Sequence, residues 1–457
     1  MEMLRLTNPA TGEVFNELPL MPPEEVPAVV TRARAAFAVW SKLPLQERLK
    51  ALAPLPQLLM DHGQEFGQLV AQEMGRPIRE GVTSGDHIAK SCHYALEHAE
   101  AWLKPEVQAL EGGLTNELHF VPQGVVLAIS PWNFPLQLAL YGIWPALICG
   151  NSVIHKPARQ TPLTALKLHE LLAPLLPKDA LQTVIATSEV TKNIIESHIN
   201  MVALVGSTAA GKDIMARAAP RLLNLALELG GKDAMIILDD ADLPATAKVA
   251  VDGSLKNAGQ ACNAVERIYV PTQLHDQLVE LCKAEVTKVV VGDPMDSATT
   301  MGPLANADQL SNVEAHVADA VAKGANVIAG GKRLERAGFF YAPTILTNVS
   351  ERMDIMREET FGPIIAIQAY TNVAEAIRLA NDIPLGLTAS VWTNNTKRGH
   401  EVAEQLEVGN VGINHLCRSH QAAPWGGTKQ SGVGRLLGRE GLRNFCEMKN
   451  VRFTATR

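Results

Sequence analysis

From Pro23 to Met74 the apolar residues recur three and four positions apart, at Val26, Val29, Val30, Ala33 and Phe37 and again at Leu49, Leu52 and Leu55. That spacing predicts amphipathic helices, separated near Ser41 to Pro44. A more polar helix is expected over roughly Asp86 to Leu103. Beyond it the period changes: Thr115 to Val121 reads as an exposed strand, and the apolar run from Gly124 to Ser130 as a buried one. Strand and helix signals then alternate to Ile237, and a second alternating block runs from about Ala241 to Val411. This is the pattern of parallel strand–helix–strand units, so an α/β protein is expected. The last segment, Lys449 to Arg457, is polar and strand-like. No repeat, low-complexity tract or long linker interrupts the chain, which predicts tightly docked domains.

At 457 residues the chain exceeds one ordinary hydrophobic core, so two domains or more are expected. Hydrophobic residues make up 47% and charged residues 19%, values of a soluble globular protein. A formal net charge of -7, with no basic run, argues against a nucleic-acid partner. Met1 to Arg5 leads into polar turn residues without the apolar stretch of a secretory leader. The longest apolar candidate, Leu138 to Gly150, contains Pro145 and falls short of the roughly 18 residues a membrane span needs, so no membrane association is expected. The six cysteines form no Cys-x-x-Cys pair, which suits free thiols in a reducing cytoplasm.

One of those cysteines has a chemical setting. Cys262 stands in Gly259-Gln260-Ala261-Cys262-Asn263, and Glu228 precedes it in Glu228-Leu229-Gly230-Gly231-Lys232. A thiol can add to an electrophilic carbon and a carboxylate can activate the water that displaces it. A lone cysteine in a small-residue loop is more often a buried filler, so other segments must decide. Met201 to Val205 is an apolar strand ending at Gly206-Ser207-Thr208-Ala209-Ala210-Gly211-Lys212, after which Ile214-Met215-Ala216 begins a helix. A glycine turn at a helix N-terminus offers free N–H groups and a positive dipole end to a pyrophosphate. The same stretch nearly spells a phosphate-binding P-loop, but that motif needs a hydroxyl next to ligate Mg²⁺ and Asp213 stands there. A plain strand-to-helix turn is the remaining alternative.

Three further segments bear on the choice: Pro131-Trp132-Asn133-Phe134-Pro135, Glu358-Glu359-Thr360-Phe361-Gly362-Pro363, and Pro424-Trp425-Gly426-Gly427-Thr428-Lys429-Gln430-Ser431-Gly432. With the cysteine and glutamate segments they resemble the aldehyde dehydrogenase superfamily. The likeness runs in order from Asn8-Pro9-Ala10-Thr11-Gly12 to Phe445, and the chain looks like the short bacterial members grouped with succinate-semialdehyde dehydrogenases. The resemblance implies a Rossmann-like cofactor domain over 1–110 and 125–229, a catalytic domain over 230–415, a return to the cofactor domain over 416–441, and a β arm from 111–124 and 442–457. That arm would join copies into a homodimer or homotetramer, since an unpaired strand edge is a liability in solvent.

The resemblance also assigns roles. Cys262 would attack the aldehyde, Asn133 with the backbone N–H of Cys262 would hold the oxyanion, and Glu228 would deprotonate the hydrolytic water. Members that pass the acyl group to coenzyme A commonly lack that base, so Glu228 favours hydrolysis. Trp132, Lys156, Gly206, Ser207, Glu359 and Phe361 are the implied cofactor residues. Out of this context Glu358-Glu359 would read as a solvated acidic pair. Many NAD-preferring members carry a glutamate three residues after the lysine; here Arg159 stands instead, and a guanidinium can pair with a 2′-phosphate, so NADP is favoured over NAD unless Arg159 points to solvent.

For the substrate, some relatives carry an arginine six residues after the second proline of Pro-Trp-Asn-Phe-Pro, where this chain has Tyr141. That departure weakens a succinate-semialdehyde reading. Arg418 could substitute or could be solvated, and Trp132, Leu136, Tyr141 and Trp425 suit an aliphatic or aromatic aldehyde. His415, Cys417 and His420 fall in one loop but match no common zinc spacing, so no metal is expected. Lys232 reads as structural, and Asn263 receives no role. A retired, non-catalytic fold is the alternative; such chains tend to lose nucleophile, base or oxyanion donor, and all three stand here.

Overall fold

Apolar runs without polar alternation must be covered on both faces, and two parallel sheets flanked by helices accomplish this. The computed structural model describes residues 2–454, apart from the side chains of Thr83 and Ser84. One sheet of six strands runs Gly432–Val433, Asn224–Glu228, Met201–Val205, Val125–Ser130, Ser152–Pro157, Leu181–Thr183. All neighbours in it are parallel except the first pair. The second, of seven strands, runs Asn326–Ala329, Thr344–Thr347, Ile364–Tyr370, Val265–Pro271, Asp233–Ile237, Thr388–Trp392, Asn410–Ile413, and only its first pair is antiparallel.

In the six-stranded sheet, Val125–Ser130 has Ser152–Pro157 on one side and Met201–Val205 on the other. Strand order therefore diverges there, and the crevice beyond the carboxyl ends of such strands is where parallel sheets bind ligands. Asn133, Gly206 and Glu228 all lie at or just past those ends. The helix Pro135–Ile148 that follows Val125–Ser130 is buried on nearly every side and runs through Pro145, whose missing N–H falls in its last turns and does not end it.

Other elements depart from the sequence reading. Met3–Thr7 and Val14–Pro19 pair as an antiparallel hairpin that the short, mostly exposed segment did not announce. The polar helix spans Ile78–Leu103, starting a turn or more before Asp86 because Pro77 sets its first cap. The helix after the glycine turn is Thr208–Ala218; it begins ahead of Ile214 because Ser207 Oγ accepts the Ala210 N–H at 3.2 Å.

Glu106–Ala109, Leu114–Pro122 and Cys446–Thr454 form a separate antiparallel sheet, with Cys446 opposite Pro122 and Thr454 opposite Leu114. The final residues 455–457 of the strand-like tail lie outside the described residues. Among the described residues no helix is long and apolar enough to cross a membrane.

Candidate active site

The cysteine loop follows the helix Leu243–Leu255 and is held in an unusual conformation. Asn257, Ala258 and Gly259 have φ of 52°, 55° and 72°, three consecutive left-handed residues that only surrounding contacts can maintain. Those contacts are present. Asn257 Nδ2 donates to Asn133 O at 3.1 Å and Gln260 O at 3.2 Å, Gln260 Nε2 donates to Asn257 O at 3.0 Å, and Gln260 Oε1 accepts the Ala305 N–H at 2.8 Å. A Cβ on Gly259 would lie 2.0 Å from Gly362 O, so this loop and the Glu359–Phe361 turn touch backbone to backbone. Asn133, 3% exposed, donates through Nδ2 to Gln260 O at 3.1 Å. An amide NH₂ has two donors, so one N–H remains for an oxyanion beside the cysteine loop.

Glu228 ends its strand at 4% exposure, and neither carboxyl oxygen has a hydrogen-bond partner among the described residues. Burial pushes its pKa well above the ordinary carboxylate range, with the Arg435 guanidinium opposing. The half-buried Cys262 thiol is pushed up as well, first by burial and then by the Glu359, Asp233 and Glu228 carboxylates. Gly231 is required beneath it, since a Cβ there would lie 2.4 Å from Cys262 O. Glu359 accepts the Gly231 N–H at 3.1 Å, and burial followed by repulsion from Glu266 raises it to about 8.

Lys232 and Glu266 form a buried ion pair that fastens the same turn. Lys232 Nζ also donates to Thr360 Oγ1 at 3.1 Å, while Glu266 accepts the N–H groups of Thr360 at 2.9 Å and Phe361 at 3.0 Å. Phe361, at φ 54°, then meets Trp132 edge-on with ring centroids 5.5 Å apart. Lys232 thus holds the turn that carries Glu359 and Phe361.

Across the strand ends, Gly206 N donates to Glu228 O at 2.9 Å, which joins the glycine turn to the strand end that carries the Glu228 carboxyl. Ser207 caps the helix Thr208–Ala218, whose N-terminus follows directly on the end of the strand Met201–Val205. Lys156 is half-buried without an acceptor among the described residues; burial and then Arg159 lower its pKa to about 8. An anionic or hydroxyl-rich ligand would satisfy that ammonium, so these residues fit a dinucleotide. Arg159 itself is exposed, at the edge of a cavity of about 320 Å³ with Glu73, Asn306 and the N-terminal strand.

A thiol, a carboxyl unpartnered among the described residues, a free amide N–H and a glycine turn at a helix N-terminus thus converge on one place. The sequence pattern of the aldehyde dehydrogenase family matches residues 2–451. The chain belongs to the aldehyde dehydrogenase family. It is 38% identical over 454 residues to a mitochondrial succinate-semialdehyde dehydrogenase of Arabidopsis thaliana, covering 98% of this chain and 85% of that one. It is 34% identical over 451 residues to an NADP-linked succinate-semialdehyde dehydrogenase of Escherichia coli, covering 98% and 94%. The crystal structure of succinate-semialdehyde dehydrogenase from Burkholderia pseudomallei superposes with a TM-score of 0.97 at 33% identity, covering 99% of this chain and 95% of that one. The protein is accordingly an NAD(P)-dependent aldehyde dehydrogenase, oxidising an aldehyde to a carboxylate.

In this aldehyde dehydrogenase Cys262 opens on a cavity of about 350 Å³. Tyr141 and Trp425 line it, both nearly buried; the Tyr141 hydroxyl accepts from Gln137 Nε2 and shares a hydrogen bond with Ser419 Oγ, each at 2.7 Å. Arg418 lines it too, but its side chain is 52% exposed and paired with Asp252 at 3.2 Å. Two lining cations, Arg76 and Lys256, escaped the sequence reading. Neither belongs to a motif with chemistry of its own, and Arg76 is remote in sequence from every other lining residue except Glu80 and His87. In the loop that carries His415, Cys417 and His420, the Cys417 carbonyl accepts from Asn263 Nδ2 at 3.0 Å, which ties that loop to the residue after Cys262.

Proposed function

We propose that the enzyme oxidises an aldehyde bearing a distal carboxylate, of the succinic semialdehyde class, with NADP preferred over NAD. The observation that carries this is a cavity around Cys262 lined by Arg76, Lys256 and Arg418 against one carboxylate, Glu80. Lys256 is half-buried with no acceptor among the described residues, and burial lowers its pKa. An excess of positive charge in a partly desolvated site favours an anionic substrate. The names of the relatives point the same way, and Arg159, although exposed, lies close enough to Lys156 to lower its pKa and so can pair with a 2′-phosphate, which supports NADP.

In this reading Cys262 adds as thiolate to the aldehyde carbon, and the free N–H of Asn133 with the Cys262 backbone N–H receives the oxyanion. The bound oxidised cofactor supplies the hydride acceptor. Lys156, Arg159, Gly206 and Ser207 hold its adenosine and pyrophosphate end, and Trp132, Glu359 and Phe361 its nicotinamide end. Glu228 then takes a proton from water, the thioester is hydrolysed, and the carboxylate departs. Residues 1–110, 125–229 and 416–441 serve cofactor binding and 230–415 catalysis. The outer edge of Cys446–Thr454 pairs with a second copy in a homodimer or homotetramer, in the cytoplasm.

Initial rates of reduced-cofactor formation test the reading, with NAD and NADP each against succinic semialdehyde, butanal and benzaldehyde. Succinic semialdehyde with NADP should give the highest kcat/KM, exceeding butanal on the order of 100-fold. Equal or better turnover of the neutral aldehydes would overturn the anionic-substrate proposal, and a preference for NAD would overturn the role given to Arg159.

A further inference from the structure

We infer that Arg76 is the specificity-determining residue that reads the distal carboxylate of the substrate; the inference rests on the proposal that the substrate is anionic. Arg76 sits in Gly75-Arg76-Pro77, the turn between the helices Gly63–Met74 and Ile78–Leu103. Gly75 is left-handed at φ 84° and closes the first helix, and Pro77 caps the second, so the side chain is delivered from a stiff junction.

Its surroundings leave one edge open. The side chain is 8% exposed, Nε donates to Glu80 Oε2 at 3.2 Å, and the guanidinium lies 4.6 Å from the ring centroid of Phe134, which follows Asn133 directly. Among the described residues neither Nη nitrogen has an acceptor. A guanidinium carries five donors in a fixed fork, and donors at a nearly buried position require partners. The ligand that fits the free edge end-on is a carboxylate, through two parallel N–H···O bonds.

The other polar groups of the cavity are less suited. The Tyr141 hydroxyl is engaged by Gln137 and Ser419, and Arg418 is half-exposed and held by Asp252. Lys256 shares the cavity and stands close enough for its charge to be felt alongside Arg76 and Glu80, which makes it an auxiliary point charge rather than a planar reader. Glu80 orients the fork through Nε and leaves the outer edge for substrate. The consequence is that carboxylate recognition comes from the helix junction at residue 76, and not from position 141 where the sequence comparison sought it.

The test is the ratio of kcat/KM for succinic semialdehyde to that for butanal, measured with NADP for the wild type, Arg76→Lys, the double variant Arg76→Met/Glu80→Gln and Lys256→Met. The double variant leaves no unpaired carboxylate behind. The ratio should fall on the order of 100-fold in it, mainly through KM, about 10-fold in Arg76→Lys, and less in Lys256→Met. Competitive inhibition by succinate should weaken in parallel, and NADP binding by fluorescence should persist. Loss of both activities by the same factor, with the ratio preserved, would mean that Arg76 only supports the Phe134 wall and would overturn the assignment. A ratio lost in Lys256→Met but kept in the Arg76 variants would overturn it too, in favour of Lys256. A wild-type ratio at or below one defeats the anionic-substrate proposal itself, a result distinguishable from either.

Discussion

Glu228 combines burial with two oxygens that have no partner among the described residues, an arrangement that costs stability and that a purely structural carboxylate would not retain. Burial raises its pKa and so favours the protonated carboxyl, whereas the proposed base needs that proton gone. Deacylation should therefore rise with pH and level off once Glu228 ionises. Glu228→Gln should keep a pre-steady-state burst of reduced cofactor near one per active site and lower steady-state turnover about 10²–10⁴-fold, with the rising limb lost. Stopped-flow absorbance at several pH values checks this; a missing burst would place the residue before hydride transfer. Cys262, Glu228 and Asn133 are legible from the sequence because each stands in a segment whose neighbours are dictated by the backbone around it, as Gly231 is by Cys262 O.

Among elements, two loops matter more than any helix. The cysteine loop at 256–262 and the turn at 358–363 press together at Gly259 and Gly362, and the second is fastened from below by Lys232 and Glu266. Shape at this seam is set by backbone, which explains three left-handed residues in succession. Gly259→Ala adds both a left-handed alanine, costing roughly 1–2 kcal/mol, and a Cβ that must displace Gly362 O. Activity should drop at least about 100-fold through misplacement of Cys262 against Phe361, with far-UV circular dichroism unchanged. Unaltered kcat would show that the seam tolerates movement. The alternation of strands and helices read from the sequence corresponds to the two parallel sheets, since burial on both faces leaves a strong apolar signal. The N-terminal hairpin left little signal because its strands are short and largely exposed.

At the scale of the molecule, carboxyls are enclosed around Cys262 with their pKa values raised, and stability must reflect it. Glu359 titrates at about 8 folded against the usual 4.5, so between those values the unfolded chain releases a proton that the folded one retains. Its contribution is complete below about pH 4.5 and is lost as pH rises towards 8. Glu359→Gln should thus flatten the decline of thermal stability between pH 5 and 8, by roughly a few kcal/mol at the upper end, while weakening cofactor binding. Thermal melts of the apoenzyme across that range decide it; parallel slopes for the two proteins would refute the assignment. The amino-acid sequence by itself determined the α/β class and the family, and it singled out Cys262, Glu228, Asn133 and the glycine turn at Gly206 as the candidates for the chemistry proposed above. These depend on short segments whose chemistry is local: a glycine where backbone approaches backbone, a cap before a helix, a thiol in a tight loop. What the tertiary structure alone decided is which charges lack partners. Arg76 and Lys256 are ordinary cations in their own segments, and only packing the helix junction at residue 76 against the cysteine loop turns both towards the same cavity, Arg76 with Nε engaged by Glu80 and Lys256 with no acceptor among the described residues. Desolvation of a charge is a property of everything around it, and no local pattern along the chain encodes it.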